Sequence, residues 1–181
     1  ACEVAGKEPI FRILPYQKKK AGIVTTGSEV YYHRIEDKFT PVVIEKLKEC
    51  GVTEVKQIQC NDDHEMITEA IQTLIEDGSD LIVCTGGMSV DPDDRTPLAI
   101  KNACTEVVTY GAPVLPGAMF MLAYCEKEGR QIPVMGLPGC VMYAKRTIFD
   151  LVLPRIMCDE KLHEKDFRLL GQGGLCLSCP V

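Results

Sequence analysis

The stretch DLIVCTGGMSVDPDDRTP, from Asp80 to Pro97, decides the fold. Its apolar run from Leu81 to Cys84 ends at a threonine and two adjacent glycines. A short unbroken apolar run closed by turn residues is the pattern of a strand buried on both faces, the kind found at the centre of a parallel sheet. The loop after it is dense in acids and hydroxyls and leads into Thr96-Pro97, an N-cap and first-turn pair that predicts a helix over residues 97–103. Buried strand, glycine loop, helix: that order is the repeating unit of an α/β protein.

The same alternation extends in both directions. Upstream, AGIVTTG from Ala21 reads as a buried strand closed by Gly27. From Asp37, DKFTPVVIEKLKECG places Val42, Val43, Leu47 and Cys50 on one helical face, with Pro41 in the first turn and Gly51 as the stop. EVKQIQC is a strand, and DDHEMITEAIQTLIEDG a helix whose apolar stripe runs from Met66 and Ile67 through Leu74 and Ile75, capped by Asp62 or Asp63. Downstream, EVVTYG and QIPVMGLPG are expected to be strands, and GAMFMLAYCEKEG a helix between them. CVMYAKRTIFDLVLPRIM is expected to close the core as one long helix broken near Pro154. The pattern implies a mainly parallel sheet with helices on both faces.

A chain of 181 residues is long enough for one sizeable core. Hydrophobic residues at 46% and charged residues at 25% are ordinary for a globular protein, and no apolar run reaches the ~18 residues of a membrane span. A net charge of −6 argues against nucleic acid, whose backbone needs basic surface. The run Lys18-Lys19-Lys20 reads as a solvated linker. Ten cysteines, most of them single within apolar segments, suit a reducing compartment such as the cytoplasm. Cys176 and Cys179 alone have ligand-like spacing, and a Cys-x-x-Cys pair supplies half of a zinc or iron–sulfur site. That tail is either a partial metal site or an unligated end. The absent initiator Met suggests an excised piece of a longer protein.

Three strands end in glycine loops, TTGSEV, TGGMSVDPDD and GLPGCV, and in a parallel sheet these ends share one edge, where ligands bind. Gly86 and Gly87 would let a ligand approach the main chain, and Gly139 would feed a helix N-terminus suited to an anion. Thr26, Ser28 and Ser89 add hydroxyls that also serve turns. Asp91, Asp93 and Asp94 crowd like charge, which a magnesium ion or Arg95 would offset; alternatively Asp94 caps the next helix. His33 and Arg34 read as surface residues, and no Ser-His-Asp or Cys-His set is visible.

With these residues laid out, TTGSEVYYHRIEDKFTPVV, DLIVCTGGMSVDPDDRTPLAI, GAPVLPGAMFMLAY and MGLPGCVMYAKRTIFDLVLPRI each resemble blocks of the molybdopterin-binding domain of molybdenum cofactor biosynthesis proteins. The TGG block is also similar to one in nicotinamide-nucleotide deamidase-like competence proteins. The resemblance implies a three-layer α/β/α sandwich over residues 21–157, with a linker over 1–20 from an upstream region and, over 158–181, the start of a cysteine-rich tail like that of longer bacterial relatives. It implies that Thr26, Gly27, Ser28, Gly86, Gly87, Met88, Ser89, Pro138 and Gly139 hold pterin and phosphate, and that Asp94 and Asp62 are the catalytic positions of the adenylyltransferase branch, Asp94 beside magnesium. Two departures stand out. His33 occupies a place the family commonly gives to glycine, and Met88 and Ser89 replace the small residue and second glycine that follow TGG in the transferases. The expected function is binding of molybdopterin or the finished cofactor in its biosynthesis or delivery. The alternatives are magnesium-dependent adenylyl transfer from ATP and pyrophosphatase or deamidase action on a nucleotide-like substrate. Self-association as a homo-oligomer is also expected from the family.

Overall fold

The computed structural model describes residues 11–172 and 175–177. Residues 11–19 run without regular structure, and their end is tied down where Gln17 N–H donates to Met157 C=O at 2.7 Å. Lys19 and Lys20 of the basic run are paired with Asp159 and Glu54. The elements that follow are β1 (Lys20–Thr26), a short α1 (Ser28–Tyr31), α2 (Phe39–Glu49), β2 (Glu54–Cys60), α3 (His64–Glu76), β3 (Leu81–Thr85) and α4 (Thr96–Ala103). Then come β4 (Glu106–Tyr110), β5 (Val114–Leu115), β6 (Met121–Lys127), β7 (Arg130–Leu137), α5 (Ile148–Met157), α6 (Glu164–Leu170) and β8 (Leu175–Cys176).

Six strands form one sheet in the order β2-β1-β3-β7-β6-β4, the first four parallel and β6 antiparallel to both its neighbours. β3 lies inside the sheet with every residue buried, as its unbroken apolar run requires. Alternate residues feed two cores. Ile23, Val83 and Met135 pack with Val43 and Leu47 of α2 and with Phe149 and Val152 of α5. Val24, Ile82 and Val134 pack on the other side with Ile67, Ile71 and Leu74 of α3 and with Ile100 of α4. Helices therefore cover both faces, giving the three-layer α/β/α sandwich.

Two expected helices take other forms. GAMFMLAYCEKEG contains β6, a strand hydrogen-bonded along its length to β7. Leu122 and Tyr124 enter one core while Met121, Ala123 and Cys125 enter the other, so the run is apolar on both faces and its periodicity does not separate strand from helix. Glu128-Gly129 joins the two strands. With φ of 52° and 75° between the paired Lys127 and Arg130, these two residues make a two-residue hairpin turn.

CVMYAKRTIFDLVLPRIM is not one helix either. Residues Gly139–Met142 make a single 3₁₀ turn, and α5 begins only after Thr147. There a capping box stops the helix from extending backward: Thr147 Oγ1 accepts from Phe149 N–H at 3.2 Å, and Asp150 Oδ2 accepts from Thr147 N–H at 2.7 Å. Pro154 sits inside α5 without breaking it, because Val152, Leu153, Ile156 and Met157 stay buried on either side of the missing hydrogen bond.

Candidate functional site

Because β1, β3 and β7 are parallel neighbours, their three glycine loops do emerge along one edge of the sheet. Beside them, on the α2 face, lies a cleft of about 600 Å³. Thr25, Thr26, Thr85 and Gly86 from the ends of β1 and β3 line its inner part. Asp37 and Phe39 at the start of α2 form one wall, Val30 and Ile35 another, and Met142 and Tyr143 after β7 a third.

The inner part is polar and mostly satisfied. Thr25 Oγ1 lies 2.8 Å from Thr40 Oγ1, and Gln57 Nε2 donates toward Thr25 Oγ1 at 2.9 Å and Asp37 Oδ2 at 3.0 Å. The other oxygen of Asp37 accepts from Phe39 N–H and Thr40 N–H, each at 3.0 Å, which caps α2 and fixes this acid in the wall. Thr85 is the exception. Its Oγ1 is the one buried side-chain polar atom among the described residues with no hydrogen-bond partner. Thr25 and Thr85 are register partners, so the orphaned hydroxyl sits beside a satisfied one at the same depth.

The glycines divide by what a side chain would meet. Gly86 and Gly87 have φ of 87° and 54°, and a Cβ at Gly86 would collide with the Thr26 carbonyl oxygen, while one at Gly87 would stand 2.8 Å from Thr96 Oγ1. Packing of the loop on β1 and α4 by itself requires that they lack side chains. At Gly27 and Gly139 a Cβ would meet nothing within 4 Å, so there the main chain is open. Gly139 feeds only a single 3₁₀ turn, which lacks the aligned peptide dipoles of the expected helix N-terminus. Pro138, just before it, is buried. Met88 turns its side chain away from the cleft into the core, over Gly136, where a Cβ would stand 2.6 Å from Met88 Cε.

The acids act on the loops. Asp62 Oδ2 accepts from Ser28 N–H at 2.8 Å and Ser28 Oγ–H at 2.7 Å, tying the end of β2 to the loop after β1. This leaves the cap of α3 to Asp63, which accepts from Glu65 N–H at 2.8 Å. Asp94 is arranged the same way: its Oδ2 accepts from Ser89 N–H and from Ser89 Oγ–H, the latter at 2.8 Å. The expected capping roles of Asp94 and Thr96 on α4 are absent, since no side chain caps that helix. Thr96 Oγ1 instead donates to Gly86 C=O at 2.9 Å and lies 3.2 Å from Thr26 Oγ1, mooring the glycine loop to both α4 and β1.

Neither Asp62 nor Asp94 is among the residues lining the cleft. The Asp94 carboxylate is close enough to Tyr110 of β4 to add to the upward shift that burial gives that phenol. Asp91 Oδ1 is taken by Asp93 N–H at 2.9 Å, and among the described residues no three His, Cys, Asp or Glu side chains gather as a metal site. The backbone of Cys176 lies in β8 beside β5; its side chain and Cys179 fall outside the described residues.

Of the sequence-predicted positions, Thr26 and Gly86 line the cleft. The reading of loops alone missed Thr25, Asp37, Thr85 and Tyr143. Asp37 had a signal, an acid two residues before the helix Phe39–Glu49. Tyr143, 83% exposed, had one too, an aromatic in the loop that follows LPG. Among the described residues no helix is long and apolar enough to cross a membrane.

Comparison with known proteins gives this architecture its relatives. The chain is 35% identical over 85 residues to a CinA-like protein of Mycobacterium sp. (strain MCS), a match covering 47% of this chain and 20% of that protein. It thus spans about a fifth of the length of the curated relatives it matches. The tungsten cofactor synthesizing protein MoaB of Pyrococcus furiosus superposes with a TM-score of 0.60 at 21% identity, covering 86% of this chain and 97% of that one. The molybdopterin biosynthesis Mog protein of Mycobacterium ulcerans gives 0.58 at 18% identity, covering 79% and 99%. These likenesses show a shared fold. A family model described as a probable molybdopterin binding domain matches residues 22–157, three quarters of the sequence, and the chain belongs to that family.

Proposed function

We propose that the cleft at the ends of β1 and β3 holds the pterin part of molybdopterin or of the finished cofactor, and that the protein acts in the biosynthesis or delivery of that cofactor. The observation that carries this reading is the orphaned Thr85 hydroxyl beside the cleft. A buried hydroxyl without a partner costs roughly 1–3 kcal/mol, a cost that a hydrogen-bonding ligand removes. At Gly27 and Gly139, on loops flanking the same sheet edge, the space where a Cβ would stand is open, which leaves room for phosphate oxygens to approach the main chain. Asp62 and Asp94 set the shape of the first two loops through Ser28 and Ser89. On this reading they are positioning residues.

The test is to incubate the protein with molybdopterin, separate free ligand by gel filtration, and quantify retained pterin by fluorescence after oxidation. Retention that weakens in Thr85→Val supports the proposal, and no retention sinks it. Adding ATP and magnesium separates binding from adenylyl transfer. Pyrophosphate released in step with pterin, and lost in Asp94→Ala, would make the protein an adenylyltransferase and give Asp94 a catalytic role. Nucleotide turnover without pterin would replace the proposal with a nucleotide-hydrolysing activity.

A further inference from the structure

We propose that Cys104 and Cys125 are a redox pair that closes to an intramolecular disulfide when a peroxide oxidises the protein. The two sulfurs lie 2.6 Å apart, although the residues are 21 apart in sequence. A disulfide bond is about 2.05 Å long, so closure asks for a movement of roughly half an ångström. The backbone already holds the pair in place. Cys104 is the C-cap that follows α4, Thr105 N–H donates to Tyr124 C=O at 3.0 Å, and Glu106 and Tyr124 open the β4–β6 ladder. Cys125 Sγ also contacts Ala103 C=O at 3.3 Å.

Access and chemistry fit the same pair. Cys104 is partly exposed and its sulfur lies against that of the buried Cys125, so a small oxidant that reaches Cys104 meets the pair. The hydrogen bond from Cys104 favours the Cys125 thiolate and holds that thiol below its usual range, while it holds the Cys104 thiol above. Burial pushes Cys60 up to about 11 and raises Cys84 as well, which leaves those two as thiols. In the first step the Cys125 thiolate attacks one peroxide oxygen; the O–O bond breaks, giving a sulfenic acid and hydroxide. Hydroxide takes the proton of Cys104 and becomes water. The Cys104 thiolate then attacks the sulfenic sulfur, the S–S bond forms, the S–O bond breaks, and hydroxide leaves to be protonated. Two thiols and one peroxide thus yield one disulfide and two waters. The bond would fasten to β6 the far end of α4, the helix whose first residue, Thr96, moors the glycine loop.

The pair lies on a single tryptic peptide, Asn102–Lys127, because no lysine or arginine intervenes. The reduced full chain is treated with hydrogen peroxide, quenched, denatured, alkylated and digested. The expected peptide is two hydrogens lighter than its reduced form and carries no alkyl group, while Cys60 and Cys84 are alkylated. Dithiothreitol restores two alkylation sites. The melting temperature of the oxidised chain rises by about 5–10 °C, a rise absent in Cys104→Ser. Two alkyl groups, irreversible over-oxidation, or bonding of either cysteine to a different partner would overturn the proposal. The wild-type peptide mass decides the matter even if the serine variant fails to fold.

Discussion

Replacing Thr85 with valine should make the protein more stable and a worse binder. In the structure Thr85 is almost fully buried and its hydroxyl has no partner. Valine puts a methyl in place of that oxygen, keeps the β-branched shape that suits a central strand, and faces Leu137 across the β3–β7 register. Removing an unsatisfied hydroxyl recovers roughly 1 kcal/mol, the lower end of its desolvation cost. For a chain of this size that corresponds to a melting temperature about 2–4 °C higher. Urea unfolding should show a higher midpoint with an unchanged slope. With molybdopterin present the order reverses, because only threonine supplies the hydrogen bond; losing about 1 kcal/mol weakens binding roughly fivefold. Thr25→Val is the contrasting control, since that hydroxyl is bonded to Thr40 and Gln57 and its loss should destabilise by about 1–2 kcal/mol. If Thr85→Val instead lost 1 kcal/mol or more in the ligand-free protein, the hydroxyl would have a partner and the reasoning would fail.

Three further outcomes are expected. Gly86→Ala forces a Cβ onto the Thr26 carbonyl at a φ of 87° and should cost at least about 2–4 kcal/mol in urea unfolding; a cost under 1 would show that the loop is free to move. His33 has a φ of 55° in an exposed turn, so His33→Gly relieves left-handed strain and, net of the glycine's extra unfolded-state entropy, should gain up to about 1 kcal/mol by thermal unfolding. Arg155 holds the Glu160 and Asp166 carboxyls below their ordinary values of 4.5 and 3.8, chiefly by hydrogen bonds. That stabilisation is fully present above those values and is lost as pH falls through the lower folded-state values. Acid titration of unfolding should show this slope, and Arg155→Gln should flatten it.

Much of the site's chemistry is local and therefore legible. The apolar run of β3, the capping position of Asp63 and the glycine loops all depend on residues within a few positions of one another. His33 is instructive in the same way: it stands where the family resemblance leads one to expect glycine, and its backbone is left-handed, a conformation that strains a residue with a β-carbon. The hydrogen-bond partners of Asp62 and Asp94 are not legible in the sequence. Each carries two serine hydrogen bonds, and the bond of Asp62 to Ser28 spans 34 positions. A sequence shows that an acid is near a loop but not which donors have already engaged it.

By itself, the order of apolar runs, turns and helical stripes determined an α/β sandwich with its glycine loops on one sheet edge, because burial demands and strand direction follow from local pattern. Only tertiary structure decided that MLAYC is a strand, since a segment buried on both faces carries no periodicity and its partner strand selects its form. Only tertiary structure decided that Gly86 is a glycine because of Thr26, that Met88 belongs to the core, and that Thr85 is left without a partner. These depend on atoms brought together from separate strands. Their distances follow from how the layers stack, which no residue's own neighbours in the chain encode.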